Sequence, residues 1–344
     1  MMPPTTWKVV LAGCGGISRA WLDALKNLPH IKIVGLVDIH PEAAQKRAQE
    51  YGLETALLSD DLAATLKRTS PDVVFDCAVP EAHYSVTLTA LQHGCHVLGE
   101  KPLADTMAHA REMVDAAQKA GKIFAVIQNR RYDANIRRVR QLIETGSIGQ
   151  ITTLYSDFFI GAHFGGFRDR MRHVLLLDMA IHTFDAARFL AGADPLTAFC
   201  HEWNPAGSWY DHDASADAIF EMSEGIHYGY HGSWCAEGLN TSWNAAWRII
   251  GTRGSILWDG EETIRVQRVK KTGGFFSEWE EVEPAPWNAT EKTGGHAGQI
   301  RDFFECLENN RLPETICTDN IKSLAMVFSA IESAETGQRI EIRV

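Results

Sequence analysis

Two groups of residues have types and spacings that could do chemistry. The first is Gly13-Cys14-Gly15-Gly16-Ile17-Ser18, a G-x-G-x-x-small pattern between an apolar run, Lys8–Leu11, and a stretch with helical periodicity. Glycine is needed where the chain turns tightly and where backbone must approach a pyrophosphate. The helix that follows then offers unpaired N–H groups and a partial positive charge to that anion. Ser18 replaces the usual third glycine or alanine but is small enough for close helix–sheet contact. An acidic residue, Asp38, ends the next β-branched run, Ile31–Val37. Its carboxylate can accept hydrogen bonds from both ribose hydroxyls of a dinucleotide and would repel a 2′-phosphate, which favours NAD, with NADP as the alternative. The plainer reading of Asp38 is a cap for the helix that opens at Pro41.

The second group is Lys101, Asp178 and His182. Glu100-Lys101-Pro102 follows Val97–Gly99, at the carboxyl end of an expected parallel strand, where open α/β sheets bind ligands. A lysine there is usually a solvated charge. Pro102 restricts its backbone, however, and beside a cationic oxidised nicotinamide its pKa would fall toward acid–base range. Asp178 and His182 are four apart in a helical run, Leu176–Leu190, so both project from one face. Leu177, Ala180, Phe184 and Ala187 mark another face, expected to lie against the core. A carboxylate can orient the imidazole and support its protonated form, leaving the second nitrogen for a ligand. A surface ion pair is the commoner use of this spacing. Metal binding is weaker still, because two ligands are too few and no H-E-x-x-H or H-x-x-E-H pattern occurs.

Elements must hold these groups in place. Residues 1–128 alternate short strands (Lys8–Leu11, Ile31–Val37, Val73–Cys77, Val97–Gly99, Ile123–Ile127) with helices (Pro41 to Tyr51, Ser85–Leu91, Asp105 to Lys119). That alternation predicts a doubly wound parallel sheet. After Gln128 the pattern changes. Helices are expected at Ile136 to Thr145 and Leu176 to Leu190, and a strand at Ile151–Ile160. Strand-like runs then follow at Thr197–Trp203, Ser215–Met222, His227–Trp234, Ala246–Gly251, Ser255–Trp258 and Ile264–Val269, the signature of a meandering, mainly antiparallel sheet. Two helices, Ala297–Glu308 and Asn320–Glu335, and a strand, Arg339–Val344, close the chain. The expectation is an α/β Rossmann domain over 1–128 and an α+β substrate-binding and oligomerisation domain over 129–344 with a large open sheet.

Composition removes other classes. The 344 residues carry Lys+Arg 33 against Asp+Glu 44, a net charge of −11, without a basic block, so a nucleic-acid partner is not expected. No apolar stretch is long enough for a membrane span, and Met1–Lys8 lacks the apolar core of a signal peptide. The seven cysteines show no C-x-x-C pair, which reads as reduced, mostly buried thiols in a cytoplasmic protein without a structural metal. Eight of the ten tryptophans lie beyond residue 200 (Trp203, Trp209, Trp234, Trp243, Trp247, Trp258, Trp279, Trp287), fitting a sheet core or a subunit interface. One open sheet has a wide face to cover, so a homo-oligomer, dimer or tetramer, is expected. His296, in Gly294-Gly295-His296-Ala297-Gly298, precedes a helix within reach of a ligand, whereas His163, His201, His212, His227 and His231 have no distinguishing spacing. Thr272-Gly273-Gly274 and Pro284–Gly295 read as loops.

Taken together, the motifs resemble the Gfo/Idh/MocA (glucose–fructose oxidoreductase, inositol dehydrogenase, rhizopine catabolism) family nearly end to end. The matching segments are Leu11 to Ser18, Val37-Asp38, Pro80 with His83, Gly94 to Pro102, Asn129-Arg130-Arg131-Tyr132, Gly146 to Gly149, Asp178-Met179-Ala180-Ile181-His182-Thr183-Phe184-Asp185 and Glu332-Ser333-Ala334. The resemblance implies a nucleotide-dependent oxidoreductase of sugars, inositols or related polyols, with Lys101, Asp178 and His182 as the catalytic set. Cofactor contacts are then expected at Gly13, Gly15, Gly16, Ile17, Asp38, Val79, Pro80, His83, Glu100, Lys101 and Asn129. Substrate contacts are expected at Lys101, Arg131, Arg168, Arg172, His173, Asp178, His182 and His296. One departure is visible: Arg172-His173-Val174 stands where the family commonly has glycines before the aspartate. Arg172 could bind a carboxylate, sulfonate or phosphate on the substrate, or pair with a nearby acid.

On this reading His182 takes the hydroxyl proton, Asp178 orients it, and Lys101 polarises the same oxygen or carries the proton instead. The helix of Asp178 and His182 is expected to face the strand edge of Lys101. An NAD-dependent glycosidase, oxidising, eliminating, hydrating and re-reducing, is the alternative on the same fold. A non-catalytic cofactor sensor is less favoured, because all three chemical groups are present.

Overall fold

Pro41 pre-sets the φ of a first helical turn and Gly52, at φ 65°, takes the left-handed stop, so the helix between them has the ends its sequence predicts. The same local logic runs through a computed structural model that describes residues 6–285 and 292–344. Met1–Thr5, Trp287 and part of the expected loop Pro284–Gly295 lie outside the described residues. The first elements in chain order are β1 (Trp7–Ala12), α1 (Ser18–Leu25), β2 (Ile31–Val37), α2 (Pro41–Tyr51), β3 (Leu57–Ser59), α3 (Leu62–Thr69), β4 (Val73–Asp76), α4 (Pro80–Gln92), β5 (His96–Gly99), α5 (Met107–Ala120) and β6 (Phe124–Val126). Next come α6 (Ala134–Glu144), β7 (Ile151–Phe159), a π-helical turn (Leu175–Ala180), α7 (Ile181–Ala191), β8 (Pro195–Trp203), β9 (Ser215–Met222), β10 (His227–Ser233), β11 (Ala246–Gly251), β12 (Gly254–Trp258), β13 (Ile264–Lys271) and β14 (Glu278–Glu281). The chain closes with α8 (Gly295–Glu308), α9 (Cys317–Thr336) and β15 (Ile340–Glu341).

The chain divides into two units, one of residues 1–129 with 294–324, the other of 130–293 with 325–344. Strand–helix alternation in the first 128 residues gives no sign that α8 rejoins the first unit. Apolar residues of α8 bring it there: Ile300, Phe303 and Phe304 share one buried cluster with Trp21, Leu11, Leu36, Phe75 and Leu98. Each large side chain so buried contributes about 1.5–3 kcal/mol.

The sheet of the first unit has the order β3-β2-β1-β4-β5-β6 with every pairing parallel, a doubly wound Rossmann arrangement. Its order reverses at β1 and β4, the switch point where open sheets bind ligands beyond their carboxyl ends. The loops after β1, β2, β4 and β5 all open at that edge.

The second unit carries a nine-stranded sheet, β14-β13-β12-β11-β7-β10-β9-β8-β15. All its pairings are antiparallel except β7 with β10, which runs parallel in register from Thr153–His227 to Phe159–Ser233. Side chains alternate across it, as the pleat requires. Leu154, Phe158, Phe220, Tyr228, Tyr230, Trp247 and Trp258 face inward with Phe184 of α7. The rings of Phe220, Tyr228, Trp247 and Trp258 lie nearly parallel in sequence, with interplanar angles of 15°, 13° and 18°. Trp234, Trp247 and Trp258 thus belong to the core, whereas Trp243 and Trp279 are exposed. The outer face exposes Tyr155, Phe199 and Ile219.

Helix α7 differs from expectation at its start. Residues Leu175–Ala180 form a π-turn, and the regular α-helix begins at Ile181. The wider turn shifts the phase of the apolar stripe. Leu175 and Leu176 are fully buried with Ala180, Phe184 and Ala187, while Leu177, expected in the stripe, is only half-buried. Such turns accompany functional positions, because they re-aim side chains without ending the helix.

Candidate functional site

In the first unit the glycine-rich turn follows β1. A Cβ on Gly13 would sit 2.5 Å from the backbone C and O of Cys77, and its φ is +91°. Any side chain there would drive the ends of β1 and β4 apart, so Gly13 is fixed by packing within the sheet. At Gly15 and Gly16 an added Cβ meets nothing within 4 Å, which leaves the backbone open to a ligand. Ser18 Oγ donates to Gly15 O at 2.7 Å. Ile17 at the start of α1 has no side-chain cap, and Arg19 N and Ala20 N bond back to Gly16 O and Ile17 O at 3.3 and 3.0 Å, so the positive end of the helix dipole is what faces the loop.

Arg47, not anticipated from the sequence, completes this turn. It is buried on α2, where its Nη2 donates to Gly15 O at 2.8 Å and Cys14 O at 3.2 Å, and its Nη1 pairs with Glu50. In sequence it looks like one more solvated helix charge, and only its contact across the fold distinguishes it.

Asp38 does not cap α2, whose N-cap is His40 without a side-chain bond; its carboxylate ties the glycine turn to the segment ahead of that helix. Its Oδ2 accepts from Cys14 N at 2.7 Å and its Oδ1 from His40 N at 2.8 Å, just ahead of α2. A carboxylate has about four acceptor positions, so each oxygen keeps capacity for a ribose hydroxyl. Ile17, Ile39 and Val79 are large apolar side chains left exposed in the loops at this edge, as a flat aromatic ligand would require. Val79 caps α4, and Pro80 occupies its first turn. The residues present therefore fit a dinucleotide: the helix end and open glycines for pyrophosphate, Asp38 for ribose, apolar faces for the rings.

Beside them lies a buried polar network. His83 Nδ1 is 3.0 Å from Asp76 Oδ1, both almost fully buried. Burial alone would lower the imidazole pKa, but the charge and hydrogen bond of Asp76 outweigh it and raise it. Glu100 accepts from Trp21 Nε1 at 2.6 Å and from its neighbour's amide, Lys101 N, at 3.3 Å, and His296 Nε2 lies 3.4 Å away. Burial acts to raise the Glu100 pKa, and the bonds from His296 and Trp21 with the charge of Lys101 hold it below the usual carboxylate range. His296 is thus seated against a cofactor-edge carboxylate in this unit. Asn129 opens the short 3-10 turn Asn129–Tyr132. Thiol chemistry is disfavoured: burial pushes Cys14 up to about 12 and Cys95 up to about 11, and every cysteine is free.

In the second unit Asp178 lies within the π-turn and His182 in the first turn of α7. Arg168 Nε donates to Asp178 Oδ2 at 2.6 Å, and its Nη2 lies 3.5 Å from Oδ1. The guanidinium carbon is 5.1 Å from the Phe164 ring centre and 4.7 Å from that of Phe167. Arg130 reaches the neighbouring face of the same helix, with Nη1 3.4 Å from Thr183 Oγ1 and Nη2 3.5 Å from Met179 Sδ. Burial pushes its guanidinium pKa down to about 9, so it stays cationic at neutral pH.

Three expected substrate contacts are occupied within the protein. Arg131 is buried and holds Asp185 through two bonds of 2.7 Å. Arg172 is 70% exposed and 3.6 Å from Glu335, the plain ion pair that its sequence also allowed. His173 stands between two acids, Nδ1 2.6 Å from Glu202 and Nε2 3.4 Å from Glu335. Its φ of +52° is the left-handed backbone that glycine adopts freely. This is why a glycine suits the position, and why the histidine needs partners to remain there.

The hydrogen bond to Glu202 raises the His173 pKa, and burial raises that of Glu202. Both groups therefore bind protons more tightly in the folded state. Their stabilisation is complete below the unfolded values, 4.5 for Glu202 and 6.5 for His173, and is lost as pH rises through the higher folded values. The melting-temperature advantage of wild type over His173→Gln is expected to shrink from about pH 6 to about pH 8. Thermal scans giving an equal difference at both pH values would refute this.

Comparison with known proteins follows the same division. Residues 7–128 match the family described as "Oxidoreductase family, NAD-binding Rossmann fold", and 136–257 match the GFO/IDH/MocA C-terminal domain. The chain is 27% identical to a D-apiose dehydrogenase of Paraburkholderia graminis, covering 98% of this chain and 90% of that protein. It is 26% identical to a 1,5-anhydro-D-fructose reductase of Ensifer adhaerens, covering 96% and 97%. Among solved structures, an oxidoreductase from Agrobacterium radiobacter, in complex with NAD+, L-tartaric acid and magnesium, superimposes with a TM-score of 0.85. It shares 21% identity and covers 98% of this chain and 99% of its own. Residues 7–128 are accordingly an NAD-binding Rossmann domain.

Proposed function

The chain belongs to the GFO/IDH/MocA family of NAD-binding oxidoreductases, and on that premise we propose that it oxidises a secondary hydroxyl of a sugar, inositol or related polyol. Bound NAD would supply the hydride acceptor. The first unit holds it through the Gly15–Ile17 backbone, Asp38 and the exposed faces of Ile17 and Val79, and Asp38 selects against a 2′-phosphate. His182 takes the proton of the reacting hydroxyl, since forming an alkoxide without a base is too far uphill at neutral pH. Asp178 orients the imidazole, and Arg168 fixes Asp178. Lys101, whose amide donates to Glu100, is the proposed cationic group of the first unit in the catalytic set.

The observation that carries this reading is the Asp178 and His182 pair on the π-to-α junction, with Arg168 gripping the carboxylate. The named relatives act on apiose and anhydrofructose, which supports a sugar or polyol substrate. The test is absorbance at 340 nm with purified protein, NAD or NADP, and a panel of aldoses and inositols. NAD reduction by at least one member is expected, and failure with every member, despite measurable NAD binding, would sink the assignment.

A second copy of the chain covers the outer sheet face at Tyr155, Phe199 and Ile219 in this proposal. Sedimentation of the same preparation as a monomer would overturn that part. Among the described residues no helix is long and apolar enough to cross a membrane. The free, mostly buried thiols suit a reducing cytoplasm, and recovery of the native protein in a periplasmic or culture-medium fraction would argue against it.

A further inference from the structure

Arg168 is held by one edge. Its Nε and Nη2 side faces Asp178, and the guanidinium packs on the rings of Phe164 and Phe167. Among the described residues its Nη1 makes no hydrogen bond, and the side chain is about a third exposed, at 31%. The Nη1/Nη2 edge of a guanidinium is a planar fork that matches a carboxylate with two parallel bonds. Here that fork lies beside the carboxylate of the proposed catalytic pair and remains accessible.

The charge around the same turn points the same way. Among the described residues Arg130 contacts the Met179 thioether and the Thr183 hydroxyl, with no carboxylate within ion-pair distance. Asp178 and Asp169 are the carboxylates near this turn, and neither pairs with Arg130. A cation removed from water without an ion-pair partner is costly, and a bound anion relieves that cost. Arg172, the arginine that the sequence offered for this task, lies against Glu335 on the surface instead.

We propose that Arg168 is a specificity-determining residue and that the substrate is a sugar or polyol bearing a carboxylate, gripped by its outer guanidinium edge. This rests on the polyol-oxidation reading and narrows it to hydroxy acids of the uronic or aldonic type. The Asp178-facing edge orients the catalytic carboxylate while the outer edge anchors the substrate at a fixed reach from His182. Anchoring of this kind converts binding into orientation of the reacting hydroxyl.

The test is calorimetric titration of the NADH-saturated protein with matched pairs, D-glucuronate against D-glucose and D-galacturonate against D-galactose, at constant ionic strength. The acid of at least one pair is expected to bind tenfold or more tightly than its neutral partner. Arg168→Gln is expected to reduce that ratio about tenfold, and Arg168→Lys to reduce it less, because an ammonium keeps the charge but not the fork. Arg168→Lys also keeps a cation beside Asp178, so it serves if the glutamine variant fails to fold. Wild-type ratios near one in both pairs, or a ratio unmoved in the folded variants, would overturn the proposal. Rates measured on the same sugars separate the two readings. NAD reduction by neutral sugars with a ratio near one keeps the oxidation and removes the role of Arg168. Selective acid binding without NAD reduction by any sugar keeps that role and removes the oxidation.

Discussion

Replacing His182 with alanine is expected to lower kcat for polyol oxidation by about 10²- to 10⁴-fold, the usual contribution of a positioned general base. The imidazole stands in the first turn of α7, directly after the π-turn that carries Asp178. NAD affinity, read by titration of the cofactor, should be unchanged, because the proposed role of His182 is at the reacting hydroxyl and not in holding the dinucleotide. The split matters: kcat should fall while cofactor binding stays. Lys101→Ala is expected to be milder if the lysine only polarises the oxygen, and equally severe if it carries the proton. Near-normal turnover of the folded His182→Ala protein would remove the residue from the chemistry.

Replacing Arg131 with methionine is expected to destabilise the second unit by about 3–5 kcal/mol. Arg131 and Asp185 are both nearly inaccessible, and the two 2.7 Å bonds between them form a bidentate fork. Methionine keeps much of the packing volume but leaves the Asp185 carboxylate buried without that fork, and desolvation of the remaining charge drives the loss. The double variant Arg131→Met/Asp185→Leu should recover a large part of it, since exchange of a whole buried ion pair for apolar groups is often close to neutral. Urea unfolding followed by tryptophan fluorescence would report both, because Trp234, Trp247 and Trp258 are core residues of this unit. A loss below about 1 kcal/mol in the single variant, typical of a surface pair, would contradict the buried assignment.

Local signals were legible where one residue decides a backbone angle. Pro41 and Gly52 bound α2, and Gly121 at φ 61° ends α5. Other signals of the same kind set element ends that the apolar pattern does not mark. Pro80 starts α4 five residues before the apolar pattern does, and Asp61 caps α3 through Ala64 N at 2.9 Å. Strand β3, at three residues, is too short to show a period. The parallel pairing of β7 with β10 leaves the alternation along each strand unchanged, so the pattern of residues cannot distinguish it from an antiparallel neighbour.

The chain's own order of residues determined the strand–helix alternation, the glycine turn with Asp38, and the candidate set Lys101, Asp178 and His182. The glycine turn and the Asp178 and His182 pair depend on spacing within one element or across one turn, where covalent geometry sets the distance; Asp38 and Lys101 are read from their places at strand ends and from the family resemblance. Tertiary structure alone decided which cations are engaged. Arg131 goes to Asp185, 54 residues on, and Arg47 goes back to the carbonyl of Gly15, 32 residues away. Glu100 receives Trp21 across 79 residues. Partners so distant are chosen by how sheets and helices pack, and no periodicity in the chain records that choice. The same packing gives Arg168 to Asp178 and leaves its outer edge open.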